Sequence, residues 1–103
     1  MNEFKFYGSA LETPEIIESD KGNKYCYIKI NVSREYKNQD GSISNDDFKV
    51  ACFKTLAEEA TKNIKKGQNI IIKGRLQENN FQKDNGEIIY RPELVGERIY
   101  YTN

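Results

Sequence analysis

Between residues 25 and 36 the chain reads YCYIKINVSREY, with Cys26, Ile28, Ile30 and Val32 at alternate positions and Lys29, Asn31 and Ser33 between them. That period of two marks a strand with one face in a core and the other in water. The same reasoning predicts a strand over 2–11, where Phe4 and Phe6 share a face, ended by Thr13-Pro14 and a polar loop over 15–24. Residues 37–46 (KNQDGSISND) hold one apolar side chain and the pair Asp40-Gly41, which predicts a turn and flexible loop leading into a third strand over 47–54.

The period then changes. Residues 56–65 predict one short helix, with Thr55 as its N-cap, Glu58 completing a capping box, Lys65 and Lys66 late and Gly67 as the stop. A strand resumes over 68–78 (QNIIIKGRLQE), where Lys73 and Arg75 lie opposite Ile70, Ile72 and Leu76, and Gly74 predicts a bulge or tight bend. A polar hairpin over 79–87 with Asn85-Gly86 at its tip precedes the last strand over 88–101, in which Pro92 marks an edge or an irregularity. Three strands, a helix and two strands are the order of the OB-fold, an all-β, five-stranded barrel with its helix between strands three and four, here one domain over 1–103. Such barrels bind oligonucleotides or oligosaccharides, and the fold alone does not choose between them.

Composition agrees with strands, since Ile, Tyr and Phe are frequent and Leu is scarce. Sixteen basic residues balance sixteen acidic ones, but residues 25–78 hold ten basic and seven acidic, so a binding face is expected in the middle of the chain. With no His and no C-x-x-C spacing, Cys26 and Cys52 read as small core residues, with a disulfide as the alternative, and neither a metal nor another cofactor is expected. The usual catalytic constellations are absent: Asp46-Asp47 diverge on a strand and Glu58-Glu59 read as a solvated helix turn, so a binding protein is expected and an enzyme is not. No apolar run approaches the ~20 residues of a membrane helix, and MNEFKFYG has no signal-like core, which predicts a soluble cytoplasmic protein with no membrane partner.

Six pieces of the chain, in order, resemble the bacterial single-stranded DNA-binding proteins: MNEFKFYGSALETPE, VSREYKN, the Asp47-Phe48 entry to strand three, FKTLAE, KKGQNIIIKGRL and Phe81 in the last hairpin. Order and spacing over nearly the whole chain carry the resemblance. It implies binding of single-stranded DNA without strong sequence preference in replication, recombination or repair, nucleoid association, and a homotetramer or at least a dimer. Family members usually continue into a flexible tail with an acidic tip that recruits repair and replication proteins; this sequence stops at Asn103, which puts tail-mediated recruitment in doubt and leaves replication or repair proteins open as partners.

Residue by residue, the resemblance implies Tyr36, Phe53 and Phe81 as the base-stacking aromatics. A protein that holds any sequence must use what all nucleotides share, a π-face and a phosphate. Cations stand beside each proposed stacker: Arg34 and Lys37 about Tyr36, Lys49 and Lys54 about Phe53, Lys83 after Phe81, with Lys73 and Arg75 on the outward face of strand four, together predicting one local patch. Surface lysines are also ordinary solubilising decoration. Tyr36 shares parity with Ile28 and Ile30, although its charged neighbours point to a strand end outside the core. Phe48 and Phe53 differ by five positions, so an unbroken strand points them to opposite faces; either a bulge restores a common face or Phe48 joins Val50 and Cys52 in the core, the reading parity favours. Tyr7, Tyr25, Tyr27, Tyr90, Tyr100 and Tyr101 read as barrel or subunit-interface packing. Two alternatives stay open: an OB-fold interaction module of the primosome-accessory kind, favoured by the zero net charge, and RNA as the main ligand.

Overall fold

The computed structural model describes residues 1–102. In chain order its elements are β1 (Phe4–Ala10), β2 (Ile17–Glu18), β3 (Lys24–Ser33), β4 (Asn45–Phe53), α1 (Lys54–Asn63), β5 (Asn69–Glu78), β6 (Phe81–Gln82), β7 (Ile88–Ile89) and β8 (Pro92–Tyr101). The five long strands lie in the order β1-β5-β8-β4-β3, and the sheet closes where Ser9 and Ala10 of β1 pair with Asn31 and Ile30 of β3. The β4–β8 contact is parallel and the others are antiparallel. This is the OB-fold barrel that the element order predicts, with its one helix between the third and fourth long strands.

Closure demands strong local curvature, and two glycines permit it. A methyl group at Gly8 would lie 2.0 Å from the Asn31 carbonyl oxygen, at the point where β1 leaves β5 and crosses to β3. At Gly74 it would lie 1.9 Å from the Val95 carbonyl oxygen, and the β5–β8 register shifts between Lys73 and Gly74. The expected irregularity is therefore present, with Glu97 as the extra residue between partners Gly96 and Arg98.

Inside, alternation decides the core. Cys26, Ile28 and Ile30 from β3, Val50 and Cys52 from β4, and Ile70 and Ile72 from β5 are fully buried. Cys26 and Cys52 face each other across the β3–β4 ladder as free thiols, as the reading of two small core residues expects. Their neighbours in sequence, Tyr25, Tyr27, Lys29, Lys49 and Phe53, are thereby turned to the outside. Along α1, Ala57, Ala60 and Ile64, at spacings of three and four, seal one end of the barrel.

Several boundaries differ from the sequence expectation. The helix begins at Lys54, its N-cap is Phe53 without a side-chain hydrogen bond, and Thr55 lies inside it. The reason is that β4 must run to Phe53 to pair with Tyr25, which leaves no residue free to cap; Lys54 makes the turn instead at φ 56°. The second strand ends at Ser33, because Arg34 N–H donates to the Ser44 carbonyl and the chain turns away through hydrogen bonds between Asn38 and Ser42. The last strand is split: Ile88 and Ile89 pair with Phe81 and Gln82 in a separate ribbon, and the barrel strand starts at Pro92, whose missing N–H suits a first position. Ile17 and Glu18, expected in a loop, add a two-residue strand to β3.

Phe48 follows parity. β4 pairs with β3 without a break from Asn45 to Phe53, so Phe48 shares the inner side with Val50 and Cys52. Its half-buried ring stacks on Phe6 at 4.5 Å, and Phe6 in turn meets Phe4 at 4.8 Å, making an aromatic plug at one end of the core. Phe48→Ala is expected to cost about 2 kcal/mol, less than a fully buried Phe would, and so lower the Tm by roughly 10 °C. Thermal unfolding followed by circular dichroism measures it, and an unchanged midpoint would remove Phe48 from the core.

Candidate nucleic-acid interface

Because the inner positions of β3 and β4 are fixed by the core, their outer positions form a regular surface. Tyr25 lies opposite Phe53, Tyr27 opposite Ala51, and Lys29 opposite Lys49. The Tyr25 and Phe53 rings are 6.3 Å apart, and Tyr25 meets Tyr27 edge to face at 5.8 Å. Lys49 Nζ stands 4.5 Å from the centre of the Tyr27 ring. Three aromatics and a cation thus share one strip, with Phe53 43% exposed and the two tyrosines half-buried.

Beside the strip opens a cleft of about 430 Å³, lined among others by Tyr27, Lys49, Leu76, Arg91 and Glu93. The Tyr27 phenol is pushed above its ordinary range by burial, then by the negative charges of Glu93 and Tyr25. Arg91 joins this cleft to the β6–β7 ribbon, since its guanidinium lies 4.6 Å over the Phe81 ring. Phe81 is 44% exposed and pairs with Ile89, so the ribbon holds it as a platform outside the core.

The residues singled out from the sequence are spread more widely than one patch. Tyr36 is 62% exposed and lies beyond Ser33, whereas Phe53 is paired with Tyr25 at the opposite end of the same ladder. Eight strand residues at ~3.3 Å each put about 26 Å between those ends. Lys49, Phe53 and Lys54 do come together at the Tyr25–Tyr27 end. Lys73 faces outward between Lys5 and Arg98, on the β1–β5–β8 side. Arg75 lies one outward step further along β5, toward Gln77 and the cleft.

Tyr25, Tyr27 and Arg91 are the surface groups that sequence reasoning did not assign. The signal for the tyrosines was present: they alternate with Cys26 and Ile28, on the side already given to Lys29. Arg91 carried no such signal, because it lies in the break between β7 and β8, which arises only from tertiary pairing.

Most of the proposed cations already have partners. Arg34 donates through Nε and Nη2 to both carboxylate oxygens of Asp46, at 3.0 and 2.9 Å, and this holds the Asp46 carboxyl below its usual range. Lys73 lies 4.0 Å from Glu3, Arg75 3.4 Å from Glu97, and Lys83 3.7 Å from Glu87. Such exposed pairs contribute little to stability. They do neutralise the face that a polyanion would meet. Lys37, Lys49 and Lys54 form no ion pair among the described residues.

Comparison with known proteins gives a consistent picture. A model of the single-strand binding protein family matches residues 1–102. The chain is 30% identical over 102 residues to "Single-stranded DNA-binding protein 1" of Clostridium acetobutylicum, covering 98% of this chain and 93% of that protein. It is 27% identical over 101 residues to "Single-stranded DNA-binding protein 1" of Staphylococcus aureus, covering 98% of this chain and 65% of that protein.

The cleft geometry makes one prediction of its own. Glu93→Gln removes a negative charge near Tyr27 and is expected to lower the Tyr27 phenol part of the way toward its ordinary value, with burial holding the rest. An NMR titration of the tyrosine ring carbons checks this; an unmoved Tyr27 would mean that Glu93 lies too far away to act on it.

Proposed function

The chain belongs to the single-strand binding protein family, and from that premise we propose that its outer barrel surface binds single-stranded DNA by stacking bases on Tyr25, Tyr27, Phe53 and Phe81. The single observation that carries this reading is the strip of aromatics on the outer side of β3 and β4, with Lys49 beside it and Arg91 leading on to Phe81. The rings offer what every nucleotide can use, at roughly 1 to 3 kcal/mol per base. Lys37, Lys49, Lys54 and Arg91 contact phosphate, and Tyr36 with Arg34 lengthens the track at the far end of the ladder. The protein works by holding and shielding unpaired DNA during replication, recombination or repair, in the cytoplasm at the nucleoid, and not by catalysis.

The paired cations give this binding a distinct salt signature. A phosphate that takes Arg34, Lys73, Arg75 or Lys83 must displace a carboxylate, which then recruits a cation from solution and offsets the ion released from the DNA. Net counterion release therefore comes chiefly from Lys37, Lys49, Lys54 and Arg91, which form no ion pair among the described residues. At ~0.7 ions per phosphate on a single strand, the slope of log K against log salt is expected at about −3, where the same eight cations all free would give about −6.

Anisotropy titration with labelled oligo-dT, the matching duplex and the matching RNA at several salt concentrations tests the reading. Oligo-dT is expected to bind most tightly, and Phe53→Ala and Phe81→Ala each to cost about 1 to 3 kcal/mol of affinity with the fold intact. Duplex binding as tight as oligo-dT, or no binding below about 10 μM, would overturn it.

The same reading has copies of the chain cover the outer face of β1, β5 and β8. There Tyr7, Ile71 and Tyr100 lie side by side across three strands, with Tyr7 59% and Tyr100 46% exposed. An apolar and aromatic cluster of this kind is suited to an isologous contact. Light scattering is expected to give a dimer or tetramer mass that Tyr7→Glu lowers; a monomeric wild-type protein would sink the assembly.

A further inference from the structure

The cleft beside the aromatic strip contains a group that phosphate binding does not use. Glu93 opens the outer surface of β8 next to β4. The parallel pairs Val50 with Leu94 and Ala51 with Val95 set Lys49 and Glu93, one position earlier, side by side. Across β5 its partner is Gln77, whose Nε2 donates to Glu93 Oε2 at 3.2 Å. Gln77 is itself fixed, because Arg75 Nη2 donates to its Oε1 at 3.2 Å while Arg75 Nη1 reaches Glu97. One carboxylate oxygen is thus anchored through a chain of side chains, and the other is left to the cleft.

Asp46 and Glu93 are the two half-buried carboxylates among the described residues. Asp46, Glu3, Glu97 and Glu87 each hold a cation, whereas no ion pair holds Glu93 among the described residues. Lys49, its neighbour on β4, places its ammonium over the Tyr27 ring. Glu93 is half-buried and lines the same cleft as Tyr27, whose phenol its charge helps to raise. A half-buried carboxylate on a polyanion-binding face repels phosphate and can only accept hydrogen bonds. What it can take from a DNA strand is an N–H on a base edge.

We infer that Glu93 reads base edges in this cleft, favouring bases that carry an exocyclic amino group over thymine. This rests on the single-stranded DNA reading and deepens it. A base that takes the place of the Lys49 ammonium on the Tyr27 ring, Lys49 moving to a phosphate, turns its edge toward the cleft wall, where Glu93 accepts from cytosine N4, adenine N6, or the adjacent N1–H and N2–H of guanine. Thymine offers only N3–H, set between two carbonyl oxygens that a carboxylate repels. Binding is therefore general along the strand and selective at one position, set by Gln77 and Glu93 on strands that the barrel brings together.

The full chain is titrated with fluorescein-labelled oligo-dT, oligo-dC of equal length, and an oligonucleotide of alternating dT and dG that avoids guanine runs. The readout is the ratio of Kd for oligo-dT to that for each of the others, in the wild type and in Glu93→Gln, whose fold is checked by its Tm. Substitution is expected to shift both ratios about fivefold toward oligo-dT. A uniform gain in affinity for all three, with ratios unchanged, overturns the inference and leaves Glu93 as a mere repulsive charge. Failure of the wild type to bind any of the three overturns the single-stranded DNA reading itself. If Glu93→Gln does not fold, Glu93→Ala is read in the same way.

Discussion

A closed barrel has no spare face: each strand must give alternate side chains to a core that excludes water, and the others are committed to the surface. In this protein that constraint does more than build the core. Burial of Cys26, Ile28 and Ile30 on β3 and of Val50 and Cys52 on β4 leaves Tyr25, Tyr27, Lys29, Lys49 and Phe53 nowhere to go but outward. A slip of one residue in the ladder would drive lysines into the core and is ruled out by its cost. The aromatic strip is therefore as well determined as the core itself, because the two are opposite sides of the same pleat.

Closure also brings together what the chain keeps apart. β8 lies against β4 although residues 54–91 separate them along the chain, and that one parallel contact sets Glu93 and Val95 beside Lys49 and Ala51. Gly74 and the bulged Glu97 supply the bend on the other flank, so Arg75 and Gln77 line up behind Glu93. The cleft is a product of curvature, and its lining comes from residues 27 to 94.

Charge is arranged with equal economy. Zero net charge does not mean a surface without polarity; it reflects acids set against particular cations, as in Arg34 with Asp46 or Arg75 with Glu97. These contacts stabilise the fold only slightly. Their larger effect is on what a polyanion would meet, since they leave fewer cations free on the surface.

Much of this was legible in the chain. Periodicity in YCYIKINVSREY and QNIIIKGRLQE, the helix between them and Gly74 were enough for the barrel, since a half-buried strand must alternate whatever its partner. Parity alone placed Phe48 with Val50 and Cys52, and the polar surroundings of Phe81 foretold its exposure. The helix cap was misread, because Thr55 looks like a cap until β4 is seen to run to Phe53 without a break. Tertiary structure decided the rest: that Tyr36 and Phe53 stand at opposite ends of one ladder, that Arg34, Lys73, Arg75 and Lys83 already hold acids, and that Arg91 and Glu93 border the aromatic strip. Local sequence fixes which side of a strand a residue faces, because that depends on the period of the backbone. Which strand lies next to it depends on how the sheet closes, and no single segment contains that information.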